Sequence, residues 1–272
     1  MTSLLEISSE KLSRLVGTPG CPILVDVRTD DDFAADPRLI PGSIRRSYSD
    51  VQAWLGHLET RAAIVICQRG RKLSHGVAAW LRQSGIDANV LDGGFEAWVA
   101  SGLAVVPVSK LPLRDSQGRT VWVTRARPKI DRIACPWLIK RFVDPYAVFL
   151  FVPPADVADV ADRFDAAPYD IEEVFWSHRE ELCTFDVMID ELGLSSEPLL
   201  RLATIVRGAD TARLDLAPEA SGLLAASLGL SRMYTDDHEQ LEAGLGLYDA
   251  FYRWSRDATD EKHNWPSAKR TA

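Results

Sequence analysis

The sequence lacks the features that mark membrane proteins, secreted proteins and zinc-finger proteins. It has no run of 18 apolar residues, and it starts without a basic segment followed by an apolar stretch, so we expect neither a membrane span nor a secretory signal. Only four cysteines occur, at positions 21, 67, 135 and 183, and none forms a CxxC pair or has zinc-finger spacing. We therefore expect free thiols and a cytoplasmic location.

An excess of basic residues is also missing. The formal net charge is −8, and residues 1–107 carry nearly equal numbers of acidic and basic side chains, so most of the negative charge lies on residues 108–272. Binding to a phosphate backbone depends on cations that release counterions. Direct binding to nucleic acid is therefore not expected.

The length and composition favour two globular domains. A chain of 272 residues is long for one compact domain, and 46% hydrophobic with 26% charged residues is ordinary for a globular protein. Between positions 105 and 118 prolines and a glycine interrupt any sustained hydrophobic period. We predict domains at residues 1–107 and 119–272, joined by a linker at 108–118.

Hydrophobic periodicity predicts different fold classes for the two domains. In the first, strands alternate with helices, which is typical of an α/β domain with a parallel sheet. The predicted helices of this domain are 9–16, 49–58, 73–84 and 94–101. The second domain has apolar strand signals at 120–124 and 148–152 but mostly helical patterns, so we predict a helix-rich α+β domain.

The most informative segment is a cysteine directly behind a buried strand. The apolar run 62–66 predicts the strand, and the spacing of apolar residues over 73–84 predicts a helix, so Cys67 lies between a strand end and a helix N-terminus. Backbone N–H groups, the helix dipole and three basic residues of the loop favour the thiolate, which is the nucleophilic form. The alternative is an inert buried cysteine.

Four motifs in the first domain point to a family. They are Asp26-Val27-Arg28, Ile40-Pro41-Gly42-Ser43-Ile44, the loop that starts at Cys67, and Gly93-Gly94-Phe95-Glu96-Ala97-Trp98. In this order and spacing they resemble the rhodanese family of sulfurtransferases over residues 1–107. The loop departs from the family's usual Cys-x-x-Gly-x-Arg-Ser, because Lys72 stands where arginine is usual and Leu73 displaces the serine by one position.

The resemblance implies a two-step transfer of sulfur with Cys67 as the catalytic residue. The thiolate takes the outer sulfur of a small anionic donor to form a persulfide, and a thiol or cyanide then removes that sulfur. The substrate-binding residues implied are Gln68, Arg69, Gly70, Arg71 and Lys72, through their backbone amides and the charges at 71 and 72. No metal or organic cofactor is required for this transfer.

A second resemblance covers nearly all of residues 120–266. It rests on the segment 124–139, on His178 with the segment 183–186, and on the segment 205–211. These pieces are similar to the C-terminal domain of the chromate-resistance protein ChrB, which implies a link to the chromate response and its regulation. A chromate-responsive sensor or regulatory protein, with the rhodanese-like domain as a binding module, is therefore the alternative to a sulfurtransferase.

The second domain also contains candidate ligands for a cation and an anion. His178, Asp210 and His238 are a possible site for iron, manganese or zinc, although each also has a structural interpretation as a local hydrogen-bonding or helix-end residue. The basic run at 125–132 is a candidate site for chromate or another oxyanion. It is equally consistent with pairing to the carboxylates of its own domain.

Overall fold

The computed structural model describes residues 5–58 and 62–261. The first part of the chain contains short strands and helices in alternation. Its strands are β1 Glu6–Ile7, β2 Ile23–Asp26, β3 Arg38–Leu39, β4 Ser43–Arg45, β5 Ala62–Ile66, β6 Asp87–Leu91 and β7 Val106–Pro107. Its helices are α1 Ser9–Ser13, α2 Asp30–Ala35, α3 Val51–Leu55, α4 Lys72–Gln83 and α5 Gly94–Ala100.

The first part is built on a parallel sheet of five strands in the order β1-β6-β5-β2-β4, while β3 and β7 form a separate antiparallel pair. Strand β5 lies in the middle, between β2 and β6, and four of its five residues are buried. A strand covered on both faces requires a continuous apolar sequence, which explains the run at 62–66. Cys67 follows β5 at the carboxyl edge of this sheet.

The second part combines a small parallel sheet with many helices. Its strands are β8 Val121–Arg125, β9 Val148–Val152 and β10 Ala167–Pro168, in the order β10-β8-β9. Its helices are α6 Asp131–Phe142, α7 Val157–Phe164, α8 Thr184–Glu191, α9 Glu197–Asp210, α10 Ala220–Met233 and α11 Asp237–Asp257. The predicted fold class, an α/β parallel-sheet domain followed by a helix-rich domain, is confirmed.

The start of α6 differs from what the local sequence pattern indicates. The sequence pattern suggests that Asp131 caps the helix that follows it, but Asp131 is the first residue of α6 and the residue before it, Ile130, has φ 38°. The Asp131 carboxylate instead accepts a hydrogen bond from the backbone N–H of Thr184, at 2.6 Å. Local sequence periodicity cannot predict a hydrogen bond to a residue 53 positions away.

The two parts share one hydrophobic core. Trp98 of the first part and Trp122 of the second belong to the same buried cluster. At the end of α6, the carbonyl of Phe142 accepts a hydrogen bond of 2.6 Å from the N–H of Gly42.

The domain boundaries predicted above stay a prediction, and the segment 108–118 includes a short 3₁₀ helix, Val108–Lys110. Within the described ranges no helix is both long and apolar enough to cross a membrane.

Candidate functional site

The sulfur atom of Cys67 lies at the N-terminus of α4. The backbone N–H of Arg71 donates to its Sγ at 3.3 Å, and the hydroxyl of Ser74, in the first turn of the helix, lies 3.2 Å from the same atom. Only 5% of the Cys67 surface is exposed. Donors at the N-terminus of a helix stabilise negative charge on an atom in this position.

Glycines allow the loop after Cys67 to pack tightly against the start of α5. Gly70 has φ +61°, and a Cβ there would lie 2.4 Å from the carbonyl oxygen of Leu91. Gly94 has φ +62°, and a Cβ there would lie 2.3 Å from the carbonyl oxygen of Cys67. Both positions therefore need glycine for two independent reasons, the left-handed backbone and the lack of space.

The first turn of α5 also holds the loop by hydrogen bonds. The N–H of Phe95 donates to the carbonyl of Cys67, and the N–H of Glu96 donates to the carbonyl of Gln68, both at 3.0 Å. Arg28 stacks on the ring of Phe95 at 3.8 Å while its guanidinium pairs with Asp26 in a fully buried ion pair. Three of the four motifs noted in the sequence, those at 26–28, at Cys67 and at 93–98, thus meet around one loop.

The predicted substrate-binding side chains divide into two groups. The guanidinium of Arg69 donates to both carboxylate oxygens of Glu96 at 3.1 Å, and the amide of Gln68 donates to the same carboxylate at 3.2 Å. Arg71 and Lys72 are exposed and have no side-chain partner within the described part of the chain. The side chains at 68 and 69 therefore brace the loop, whereas those at 71 and 72 are free to meet an anion.

A second group of functional side chains lies in the helix-rich part. Nε2 of His178 is 3.5 Å from Oδ2 of Asp131, 3.3 Å from Oδ1 of Asp170 and 3.4 Å from Oδ2 of Asp210. Asp131 begins α6, Asp170 follows β10, and Asp210 ends α9. We call these four residues the Asp–His cluster.

Burial and charge shift the pKa values in and around this cluster. Hydrogen bonds to the three carboxylates raise the pKa of His178 to about 12. Burial raises the pKa of Asp131 to about 7, against the effect of the hydrogen bond from His178. Burial also raises the pKa of Cys135 well above its usual value, and the nearby carboxylates add to this effect. Cys135 is thus a protonated core thiol with no exposed surface.

The structure brings together only part of the predicted metal site. His178 and Asp210 are neighbours, but His238 is not in the cluster, because its ring contacts Phe151 at the N-terminus of α11. Sequence reasoning missed Asp131 and Asp170. The first resembles a helix cap in the sequence, and the second lies in an irregular segment with no period to mark it.

The basic run at 125–132 is largely engaged inside its own domain. The Arg127 guanidinium donates to the carbonyls of Ser231 and Thr235, and the Arg132 guanidinium lies 3.2 Å from Asp170. The Arg125 guanidinium donates to the carbonyl of Asp170 at 3.0 Å. These contacts favour the structural alternative over an oxyanion site at this run.

Comparison with known protein families identifies both parts of the chain. The family model of the rhodanese-like domain matches residues 8–101, and that of the ChrB C-terminal domain matches residues 122–255. Both resemblances noted in the sequence are confirmed: the chain carries a rhodanese-like domain followed by a ChrB C-terminal domain.

Each individual relative matches only part of the chain. Protein ChrB of Cupriavidus metallidurans is 34% identical over 146 residues, which are 52% of this chain and 43% of that protein, so the chain spans less than half of this relative's length. A thiosulfate sulfurtransferase structure from Pseudomonas aeruginosa is 29% identical, with a TM-score of 0.34, over 38% of this chain and 19% of that one. A rhodanese-like domain protein from Staphylococcus aureus is 27% identical, with a TM-score of 0.31, over 35% of this chain and 91% of that one.

Proposed function

Given a chain that joins a rhodanese-like domain to a ChrB C-terminal domain, we propose that the protein is a cytosolic sulfurtransferase linked to chromate or oxyanion stress. Cys67 accepts sulfur from a small anionic donor and passes it to a thiol or cyanide. The observation that carries this proposal is the position of Sγ at the N-terminus of α4, in contact with the N–H of Arg71 and the hydroxyl of Ser74.

The atoms and electrons of the sulfur transfer balance without a metal or an organic cofactor. With thiosulfate as donor, the Cys67 thiolate attacks the outer sulfur, the S–S bond of thiosulfate breaks, and sulfite leaves with the bonding electron pair. Cyanide then attacks the outer sulfur of the persulfide, the new S–S bond breaks, and thiocyanate leaves. The thiolate returns, so the protein undergoes no net oxidation or reduction.

The loop residues have distinct roles in this proposal. Its backbone amides and the start of α4 stabilise the negative charge on the sulfur, since N–H dipoles that are already oriented need no reorganisation. Arg71 and Lys72 hold the anionic end of the donor. The lysine ammonium is a compact charge and cannot form the two parallel hydrogen bonds that an arginine guanidinium forms with an anion. Lys72 is therefore expected to attract the donor by charge and to be less selective for its geometry.

A steady-state assay of thiocyanate formation from thiosulfate and cyanide tests the proposal. The wild type is expected to turn over, and Cys67→Ser is expected to lose the activity. Cys21→Ser is the matched control, because burial raises the pKa of the Cys21 thiol to about 12 and keeps it protonated. Equal turnover by wild type and Cys67→Ser would refute the proposal.

A second candidate function is a chromate-responsive sensor in which the rhodanese-like domain binds an anion without turnover. Two observations favour it: Cys67 is 5% exposed, and Lys72 replaces the family's usual arginine. Calorimetric titration of chromate into the full-length Cys67→Ser variant, with sulfate as the control anion, tests it. If the protein is a sensor, the Cys67→Ser variant releases saturable heat on titration with chromate and the wild type shows no sulfur transfer. A titration without heat contradicts this function.

A further inference from the structure

We propose that the Asp–His cluster, formed by Asp131, Asp170, His178 and Asp210, binds a divalent cation of the Mn²⁺ and Fe²⁺ class. The cluster belongs to the ChrB C-terminal domain, and this proposal is independent of sulfur transfer at Cys67. It differs from the site predicted from the sequence by two of its carboxylates and by the exclusion of His238.

The spacing of the candidate ligand atoms fits a common ion. One ligand atom from each of Asp131, Asp170 and His178 lies within 4.8 Å of the other two. Nε2 of His178 is 3.3 to 3.5 Å from an oxygen of each carboxylate. Ligands at about 2.1 Å from one ion are about 3.0 Å apart at right angles and about 3.4 Å apart at the tetrahedral angle. The observed distances to Nε2 are therefore close to those of coordinated atoms, and an ion bound here replaces the proton that Nε2 otherwise donates to the carboxylates, which is released to solvent.

Asp131 gives a second and independent indication of a ligand. Its side chain is completely buried, and its Oδ1 has no hydrogen-bond donor in the described ranges, while its Oδ2 is directed at His178. Burying a carboxylate oxygen without a partner is costly, and a cation held by this carboxylate lowers that cost. A purely structural aspartate at this position would be expected to have donors on both oxygens.

The cluster also has the outer contacts that hold metal ligands in place. Oδ2 of Asp131 accepts hydrogen bonds from the first two backbone N–H groups of α8, those of Thr184 and Phe185. The Thr184 hydroxyl donates to Oδ1 of Asp170 at 2.9 Å, and the guanidinium of Arg132 lies 3.2 Å from the other oxygen of Asp170. Such contacts orient carboxylates before an ion binds.

The donor set and its exposure define the class of ion. Asp131, Asp170 and His178 offer two carboxylates and one imidazole to a common ion, and Asp210 adds negative charge beside the histidine. This oxygen-rich set suits Mn²⁺ or Fe²⁺, whereas structural zinc sites are usually rich in thiolates. The His178 side chain is 42% exposed, whereas that of Asp131 is fully covered. The cluster therefore opens towards solvent on its histidine side, where an ion can enter and keep positions for water or a small ligand.

Binding of Mn²⁺ to the full chain tests the proposal. The protein is treated with a chelator and titrated with MnCl₂ at neutral pH, while electron paramagnetic resonance follows free Mn²⁺. We expect one equivalent to bind and to raise the melting temperature. His178→Ala and Asp210→Asn are expected to weaken binding by at least about tenfold. His238→Ala and Asp215→Asn, which change the same residue types outside the cluster, are expected to bind as the wild type does.

The controls separate loss of binding from loss of folding. Asp210 is partly exposed, so Asp210→Asn is expected to keep the melting temperature of the wild type in the absence of Mn²⁺, within a few degrees. His178→Ala removes the positive partner of the three carboxylates and is expected to lower the melting temperature, so its Mn²⁺ titration is done well below its own unfolding transition. Failure of the wild type to bind Mn²⁺ overturns the proposal whatever the variants do. Equal affinity of His178→Ala and His238→Ala also overturns it, as does selective binding of Zn²⁺ with none of Mn²⁺.

Discussion

The hydroxyl of Ser74 contacts Sγ of Cys67 although it stands one position later than in the family's usual loop. Ser74 is the third residue of α4 and is completely buried, and its hydroxyl also lies 2.9 Å from the carbonyl oxygen of Arg71. In the sequence the inserted Leu73 is a departure from the pattern. At the residue scale the departure is small, because the first helical turn still directs a hydroxyl at the sulfur.

Ser74→Ala is therefore expected to reduce kcat/KM for thiosulfate by roughly five- to tenfold, since a lost hydrogen bond is worth about 1 kcal/mol. Thiocyanate formation measures the effect. Ser49→Ala, at an exposed serine of the same domain, serves as the control. Unchanged kinetics in Ser74→Ala would show that the hydroxyl has no part in the reaction.

At the scale of elements, the loop between β5 and α4 depends on its contact with α5. Gly70 and Gly94 lie so close to the backbone across this contact that neither position has room for a Cβ. The N–H groups at the start of α5 complete the contact by binding the carbonyls of Cys67 and Gln68. The geometry around the sulfur is thus set by two helices that start at the same edge of the sheet.

Gly70→Ala is expected to abolish most sulfur transfer, because a Cβ would lie 2.4 Å from the Leu91 carbonyl oxygen and displace the loop. Gly85→Ala is the matched control: Gly85 has φ +84° but open space around the added Cβ. Both variants are expected to lose about 1 kcal/mol of stability from the left-handed backbone, and Gly70→Ala is expected to lose more because its Cβ meets backbone atoms. Thiocyanate formation and chemical denaturation distinguish the two effects, and equal activity of the two variants would contradict the role assigned to the loop.

Sequence periodicity was enough to predict the elements that carry Cys67. The helix expected at 73–84 is observed at Lys72–Gln83, and the strand expected at 62–66 is observed there, because each has a hydrophobic period of its own. Strands of two residues, such as β3 and β7, have no period and were not predicted. The Asp–His cluster was predicted only in part, since its members come from distant segments that tertiary packing brings together.

At the scale of the whole molecule, the two parts of the chain are joined by a continuous core. The Phe142 ring of α6 packs directly on Gly17 of the first part, where a Cβ would lie 2.2 Å from the ring. The rings of Trp137 and Tyr252 also pack against the same phenylalanine. Burial of this kind couples the stability of the two parts, so we expect them to unfold together.

Phe142→Ala is expected to lower the free energy of unfolding of the full chain by about 3 to 5 kcal/mol, through lost burial and the cavity left behind. Phe164→Ala, at a phenylalanine that is 59% exposed, is expected to change it by less than about 0.5 kcal/mol. Differential scanning calorimetry measures both. Two separate transitions in the wild type, or equal stability of the variants, would be inconsistent with a shared core.

The central claim is that Cys67 is the thiol that accepts sulfur, and locating the added sulfur tests it most directly. The other buried thiols, Cys135 and Cys183, have pKa values raised well above the usual range by burial, and that of Cys21 is raised to about 12. After incubation with thiosulfate, mass spectrometry of peptides from the wild type is predicted to find one additional sulfur, on Cys67. An additional sulfur on another cysteine, or none on any, would contradict the account.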